Sequence, residues 1–539
     1  MSRQRSPAPD PAAPKATTST TMTAQQNLFS ALRAGFPADL DRRAVTVADS
    51  PAGAAGAALD YSWRDLDRGS AMIANLLASL DLPPASRVAV QVDKSVEALM
   101  LYLAVLRAGH VFLPLNTAYQ ADEIAYFVGN AEPAVVVCSP KNFGWVSRIA
   151  FKAGSGQVYT LGDDRSGSLL ERAAHHADVH EPVQRAESDL AAILYTSGTT
   201  GRSKGAMLSH GNLLSNARVL QHHWNWRTDD MLIHALPIFH VHGLFVALHG
   251  ALLNGSPMIW FNRFDARAVV ARLPEATVFM GVPTLYTRML AEPGLTRAAC
   301  SGMRLFISGS APLQVETFDD WTERTGHTIL ERYGMSETAM LTSNPCRASD
   351  GERRRGTVGR PLPGVGLRVV DDTGAPCPGG EIGQIQVRGP NVFAGYWRMP
   401  EKTREEFSDD GWFKTGDVGR VDADGYVAIV GRSKDLIISG GYNVYPAEIE
   451  GVLNELPGVA ESAVVGVPHA DFGEAVVAVV VARPGAALDA AAMLAALKGR
   501  IANFKVPKQL FVVDQLPRNA MGKVQKNLLR DQHRGLFGE

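Results

Sequence analysis

The segment Tyr195-Thr196-Ser197-Gly198-Thr199-Thr200-Gly201-Arg202-Ser203-Lys204-Gly205 gathers five serine or threonine hydroxyls, three glycines and a lysine in eleven positions. It follows the apolar run Ala191-Ala192-Ile193-Leu194. Glycines let backbone N–H groups approach phosphate oxygens, hydroxyls supply further donors, and lysine adds positive charge. The combination reads as a phosphate loop at the end of a buried strand. It is not a Walker A loop, which needs Gly-Lys-Ser/Thr; here Lys204 stands between Ser203 and Gly205.

The elements around this loop must position it. Residues 87–92 form a short apolar run of strand length, and apolar residues at 96, 99, 100, 103 and 106 have helical spacing. Residues 111–115 read as a strand, 123–130 as a helix and 134–138 as a β-branched strand. This β-α-β-α-β order predicts a parallel sheet covered by helices, with ligands beyond the carboxyl ends of its strands. From about residue 365 to 387, short strands alternate with turn signals such as Pro378-Gly379-Gly380, which predicts a small β-rich subdomain. After the charged break Arg432-Ser433-Lys434-Asp435, helices at 446–456 and 487–503 and strands at 461–467 and 475–482 predict a separate unit. The fold class is therefore α/β. A large N-terminal domain (27–431) with parallel βαβ-type sheets precedes a hinge (432–436) and a smaller, mobile α+β C-terminal domain (437–539). Residues 1–26 read as a disordered tail, with a targeting segment or a later start at Met22 left open.

The phosphate loop resembles the signature loop of the adenylate-forming enzymes: acyl-CoA synthetases, luciferases and nonribosomal adenylation domains. Ser203 stands where the usual pattern has proline, and Lys204 and the glycines keep their places. Further motifs follow in the family's order over about residues 40–530. The resemblance implies that Thr196, Ser197, Gly198, Thr199, Thr200, Gly201 and Lys204 hold the nucleotide phosphates. In Pro237-Ile238-Phe239-His240-Val241-His242-Gly243 it implies that His240 approaches the substrate carboxylate and that His242 lines the acyl pocket. It implies that Ser310 and Ala311 lie along the adenine and the acyl group. In Tyr333-Gly334-Met335-Ser336-Glu337-Thr338, Tyr333 and Gly334 would pack on adenine, Met335 would line the substrate site and Ser336 would reach the α-phosphate. Glu337 would hold Mg²⁺, which prefers one or two carboxylates with phosphate oxygens. Asp417 and Arg432 would meet the ribose, and Lys434 would be the hinge residue. Gly440, Gly441 and Tyr442 would admit the pantetheine arm of coenzyme A. Lys523 would bridge carboxylate and α-phosphate during adenylation.

The residue before the motif tyrosine is commonly glycine in the family, and here it is Arg332; Arg288 offers a second guanidinium from an earlier pocket-lining segment. An arginine buried in a pocket implies an anion, and its fork matches a carboxylate. One carboxylate is consumed by adenylation, so a second implies a dicarboxylic acid. The stretches around Met207, Ser310 and Met521 resemble the malonyl-CoA synthetases, and that resemblance implies that Arg288, Ser310 and Arg332 bind the distal carboxylate. The implied reaction joins malonate to coenzyme A through malonyl-adenylate, with ATP and Mg²⁺. Methylmalonate or another short acid is the alternative substrate. A protein acetyltransferase acting on Lys523 is a further implied partner, since acetylation would remove the charge.

Composition agrees with this class of function. The chain has 539 residues, with 53 Lys plus Arg against 55 Asp plus Glu and a formal charge of −2. That balance argues against a nucleic-acid partner. The four cysteines, Cys138, Cys300, Cys346 and Cys377, include no C-x-x-C pair, which argues against a disulfide scaffold and fits a reducing compartment. No apolar run approaches the ~18 residues that span a bilayer, so the expectation is a cytoplasmic protein without a membrane partner.

Overall fold

The computed structural model describes residues 27–48, 59–196, 203–440, 442–519 and 522–537. The first sheet has six strands in the order Gln157–Thr160, Val135–Cys138, Arg87–Gln91, Val111–Pro114, Leu190–Thr196 and Lys204–Ser209. All neighbours are parallel except the last pair, an antiparallel hairpin that sets Thr196 opposite Lys204. Ser95 caps helix Val96–Arg107 by accepting from Ala98 N, and every residue of that helix is buried. A helix apolar on all sides belongs inside the domain, not on its face.

The second sheet has nine strands, in the order Arg360–Pro361, Ala339–Ser343, Leu330–Met335, Leu305–Ser308, Val278–Gly281, Leu232–His234, Met258–Trp260, Arg43–Val47 and Leu59–Ser62. Its six central strands are parallel and its edges are antiparallel. The carboxyl ends of these strands deliver His234, Gly281, Ser308 and Met335 to one rim. The β-rich subdomain is a four-stranded antiparallel sheet of Gly366–Val370, Gly383–Arg388, Phe413–Val421 and Val427–Arg432. It reaches further along the chain than the turn signals predict, because its last two strands lie beyond helix Pro400–Glu405.

From Ile437 onward the buried residues form cores of their own. Strands Val459–His469 and Gly473–Ala482 pair antiparallel over their whole length, and Gln509–Val513 adds a parallel edge. Helices Pro446–Asn454 and Ala490–Lys498 accompany this sheet. The second is shorter than its apolar pattern suggests, because Gly499 ends it. Among the described residues no helix is long and apolar enough to cross a membrane.

Candidate active site

The nucleotide-side groups meet where three sheets converge. Ser197, Gly198, Thr199, Thr200 and Gly201 lie outside the described residues, as does Gly441; their flanks do not. Thr196 ends one strand of the hairpin and Lys204 begins the other. The Lys204 ammonium lies 3.2 Å from Glu406 Oε1 and 4.4 Å from the centre of the Tyr396 ring. The Tyr396 hydroxyl donates to Glu337 Oε1 at 2.9 Å. Glu337 and Ser336 sit in the turn between strands Leu330–Met335 and Ala339–Ser343. Only glycine fits at 334, since a Cβ there would come within 1.9 Å of Ala339 O. Burial raises the Glu337 carboxyl, while Tyr396, Arg432 and Lys204 oppose that rise.

The pairing of Phe413–Val421 with Val427–Arg432 sets Asp417 opposite Arg432. Arg432 Nε meets Asp417 Oδ1 at 2.6 Å, and the Tyr333 hydroxyl donates to Asp417 Oδ2. The carboxylate is nearly buried, and Arg432 opposes the upward push of burial on it. Among the described residues no three His, Cys, Asp or Glu side chains form a metal-holding group. A single buried carboxylate suits Mg²⁺ that takes its other ligands from phosphate and water. Tyr396 and Glu406 were not identified from sequence. Tyr396 follows Gly395 in a segment that only tertiary folding brings to Glu337.

The acyl-side groups are different in kind. Arg332 is 2% exposed, and among the described residues its Nε and both terminal nitrogens have no hydrogen-bond partner. Its neighbour Glu331 does not pair with it: Glu331 Oε1 accepts from Leu313 N at 3.1 Å, and burial pushes that carboxyl up to about 8. Burial pulls Arg332 down to about 9, which leaves it a cation at neutral pH. Gly309 makes room for the guanidinium, because a Cβ there would stand 2.6 Å from one of its nitrogens. The next residue, Ser310, holds a left-handed φ of 71°, a conformation non-glycine residues adopt at a cost. Its Oγ lies 3.3 Å from His242 Nδ1.

His242 opens a π-helix, His242–Leu248, a form that recurs at functional sites. Its Nε2 and the Oγ of fully buried Ser308 are likewise without partners among the described residues. Burial, Lys523 and Arg332 push His240 down to about 3, and burial and Arg332 hold His242 well below its ordinary value, so both imidazoles are neutral. Ala311 and Met335 are half-buried. Arg288 does not join this group. It is exposed on helix Pro283–Leu290 and lines a surface groove with Asp265, Arg267 and Glu292. The spacing in Val282–Arg288 identifies the helix but not which of its faces meets the pocket.

Lys523 arrives from the C-terminal domain. The residue is exposed. Even so, burial of the ammonium, Arg432 and Arg332 lower its pKa, while Asp417 and Glu337 raise it. One lysine is thus within electrostatic reach of both the acyl-side and the nucleotide-side groups. Gly522, beside it, lies within 3.9 Å of Thr284 Oγ1, measured from where a Cβ would stand. Lys434 lies in the turn Ser433–Asp435, and burial lowers it to about 8. Gly440 takes a left-handed φ of 59° and donates its N–H to Phe472 O at 2.8 Å. Tyr442 is exposed and stacks on Phe504. The Gly440 turn is therefore exposed, and Lys523, itself exposed, stands within electrostatic reach of the charged groups of the cleft.

Residues 40–397 match the family described as AMP-binding enzyme, and 448–523 match the AMP-binding enzyme C-terminal domain. A malonate–CoA ligase of Arabidopsis thaliana is 35% identical over 83% of this chain and 78% of its own. A feruloyl-CoA synthase of an Amycolatopsis species is 36% identical over 88% and 94%. The crystal structure of ATP-bound MatB from Rhodopseudomonas palustris superposes with a TM-score of 0.91 at 52% identity, covering 95% of this chain and all of the other. The two-sheet body, the cleft with its paired acid and arginine, and these likenesses agree: the chain belongs to the AMP-binding, adenylate-forming enzymes, among their AMP-forming acyl-CoA ligases.

Proposed function

We propose that the protein is a malonate–CoA ligase. The observation that carries this reading is Arg332, a buried cation whose nitrogens have no hydrogen-bond partner among the described residues. Leaving such a group unpaired is costly, so its natural complement is an anionic part of the substrate. With Ser310, Ser308 Oγ and His242 Nε2 close by, the pocket can take a carboxylate on several donors. A short diacid places one carboxylate there and presents the other to the nucleotide. A methyl branch on such a diacid is the variation the pocket chemistry tolerates most readily. An aryl acid such as ferulate has no second anion to offer Arg332.

In the first step a malonate oxygen attacks the α-phosphorus of ATP and pyrophosphate leaves. The phosphate loop with Lys204 orients the phosphates, Tyr333 stacks on the adenine, and Asp417 with Arg432 holds the ribose. Glu337 would hold Mg²⁺, which would supply positive charge to the phosphates. Lys523 neutralises charge as it passes from carboxylate to phosphate, and neutral His240 stands by the reacting carboxylate without repelling Lys523. In the second step the coenzyme A thiol loses its proton to solvent, its sulfur attacks the adenylate carbonyl carbon, and the bond from that carbon to the phosphate oxygen breaks so that AMP leaves. For this step the C-terminal domain turns about Lys434, Lys523 withdraws and the Gly440 turn arrives to pass the pantetheine arm. The protein contributes no covalent nucleophile; it positions and stabilises charge. Acetylation of Lys523 would remove its charge and stop the first step.

The test is thioester formation with malonate, methylmalonate, succinate, acetate, butyrate and ferulate, with products identified by mass. Malonate should give the highest kcat/KM, followed by methylmalonate. A preference for a monocarboxylic acid would overturn the proposal.

A further inference from the structure

Outside the cleft, a second group of side chains joins the two halves of the molecule. Helix Val315–Thr325 begins just after the Ser310-Ala311-Pro312 loop, with Gln314 as its N-cap residue and Glu316 in its first turn. Glu316 pairs with Arg483, the residue beyond strand Gly473–Ala482, and Asn454 Nδ2 donates to Gln314 Oε1 at 3.0 Å. Both C-terminal partners are braced within their own domain. Arg483 Nε donates to Val459 O at 3.0 Å, and Ser462 Oγ donates to Asn454 Oδ1 at 2.8 Å. The N-terminal side is tied to the site: Leu313 N donates to the buried Glu331 carboxyl, on the strand that also carries Arg332 and Tyr333.

We infer that Gln314 and Glu316, with Asn454 and Arg483, are positioning residues for adenylation, docking the C-terminal domain so that Lys523 reaches the cleft. The inference rests on the proposed role of Lys523. Its strength suits its task. The side chains of Arg483 and Glu316 are 45% and 49% exposed, and exposed ion pairs contribute little. A docking contact that must open in every turnover has to be weak, since a strong one would hold Lys523 in place and delay the second half-reaction. The braces on Arg483 and Asn454 fix where docking occurs without making it tight. The short path from Ser310 through Leu313 to Glu316 places this contact next to the loop that borders the substrate.

Charge reversal tests the inference. Glu316→Lys, Arg483→Glu and the double swap are compared in two separate assays: pyrophosphate release from ATP and acid without coenzyme A, and thioester formation from supplied acyl-adenylate. Each single reversal should lower pyrophosphate release by roughly 1.5- to fivefold and leave thioester formation unchanged or faster. The double swap should restore pyrophosphate release. A purely structural role would instead depress both half-reactions together. Unaltered pyrophosphate release in both single variants, equal loss in both assays, or no recovery in the swap would overturn the inference. Lys523→Ala in the same assays separates the failures. If it keeps pyrophosphate release, the reading of Lys523 falls and the docking inference with it; if it loses release while the reversals do not, only the docking inference falls.

Discussion

On the nucleotide side of the cleft, charged groups find partners inside the protein: Asp417 has Arg432 and Tyr333, Glu337 has Tyr396, and Lys204 has Glu406. On the acyl side, Arg332, His242 Nε2 and Ser308 Oγ have none among the described residues. The first arrangement is complete without a ligand, and ATP needs only to exchange or share contacts that already orient the groups. The second arrangement leaves a buried cation uncompensated, and in the proposed reading the substrate's second carboxylate completes it. Under the proposed function, the paired side serves the chemistry common to the whole family and the unpaired side selects the acid.

The largest expected effect lies on the unpaired side. Truncating one partner of a desolvated charge pair costs about 2–5 kcal/mol, so Arg332→Ala should lower kcat/KM for malonate by roughly 30- to several-thousand-fold. Steady-state kinetics at saturating ATP would show it. Lys523→Ala comes next: losing a donor that stabilises developing charge costs roughly 10²- to 10³-fold, and pyrophosphate release should fall while thioester formation from supplied malonyl-adenylate persists.

Stability gives a third contrast, of opposite sign on the two sides. Without substrate, Arg332→Met removes an unpaired buried cation and should stabilise the fold by roughly 1–4 kcal/mol. Asp417→Asn weakens bonds that are already made and should destabilise it by roughly 1–3 kcal/mol. Thermal unfolding reads both, and malonate should raise the midpoint of the wild type but not of Arg332→Met. The smallest effect belongs to Arg288→Ala. Its guanidinium is exposed beside Asp265 and Glu292, so kcat/KM for malonate should change less than tenfold, within roughly the 1 kcal/mol of an exposed pair.

Much of this architecture is legible in the residues. The β-α-β reading of 87–138 holds because strands of four or five residues alternate with clearly longer helices. Lys204, Glu337, Asp417, Arg432 and Lys523 stand out because each belongs to a distinct motif and the motifs come in a fixed order. The central strands of the second sheet are harder, since Leu232–His234 and Met258–Trp260 are three residues long and carry little periodicity. Tyr396 and Glu406 reach Glu337 and Lys204 through tertiary folding alone. The clearance that Gly309 gives the Arg332 guanidinium depends on a packing distance, and glycine in a motif does not announce what it makes room for. Arg288 shows the limit of spacing: it belongs to a helix beside the pocket, yet its guanidinium lies on the outer face.

The most direct test of the central claim is the ratio of kcat/KM for malonate to that for butyrate, measured in wild type and in Arg332→Ala. If Arg332 binds the carboxylate that does not react, wild type favours malonate and the substitution collapses the ratio, because butyrate never used the guanidinium. A wild-type preference for butyrate, or a ratio that Arg332→Ala leaves unchanged, would contradict the account.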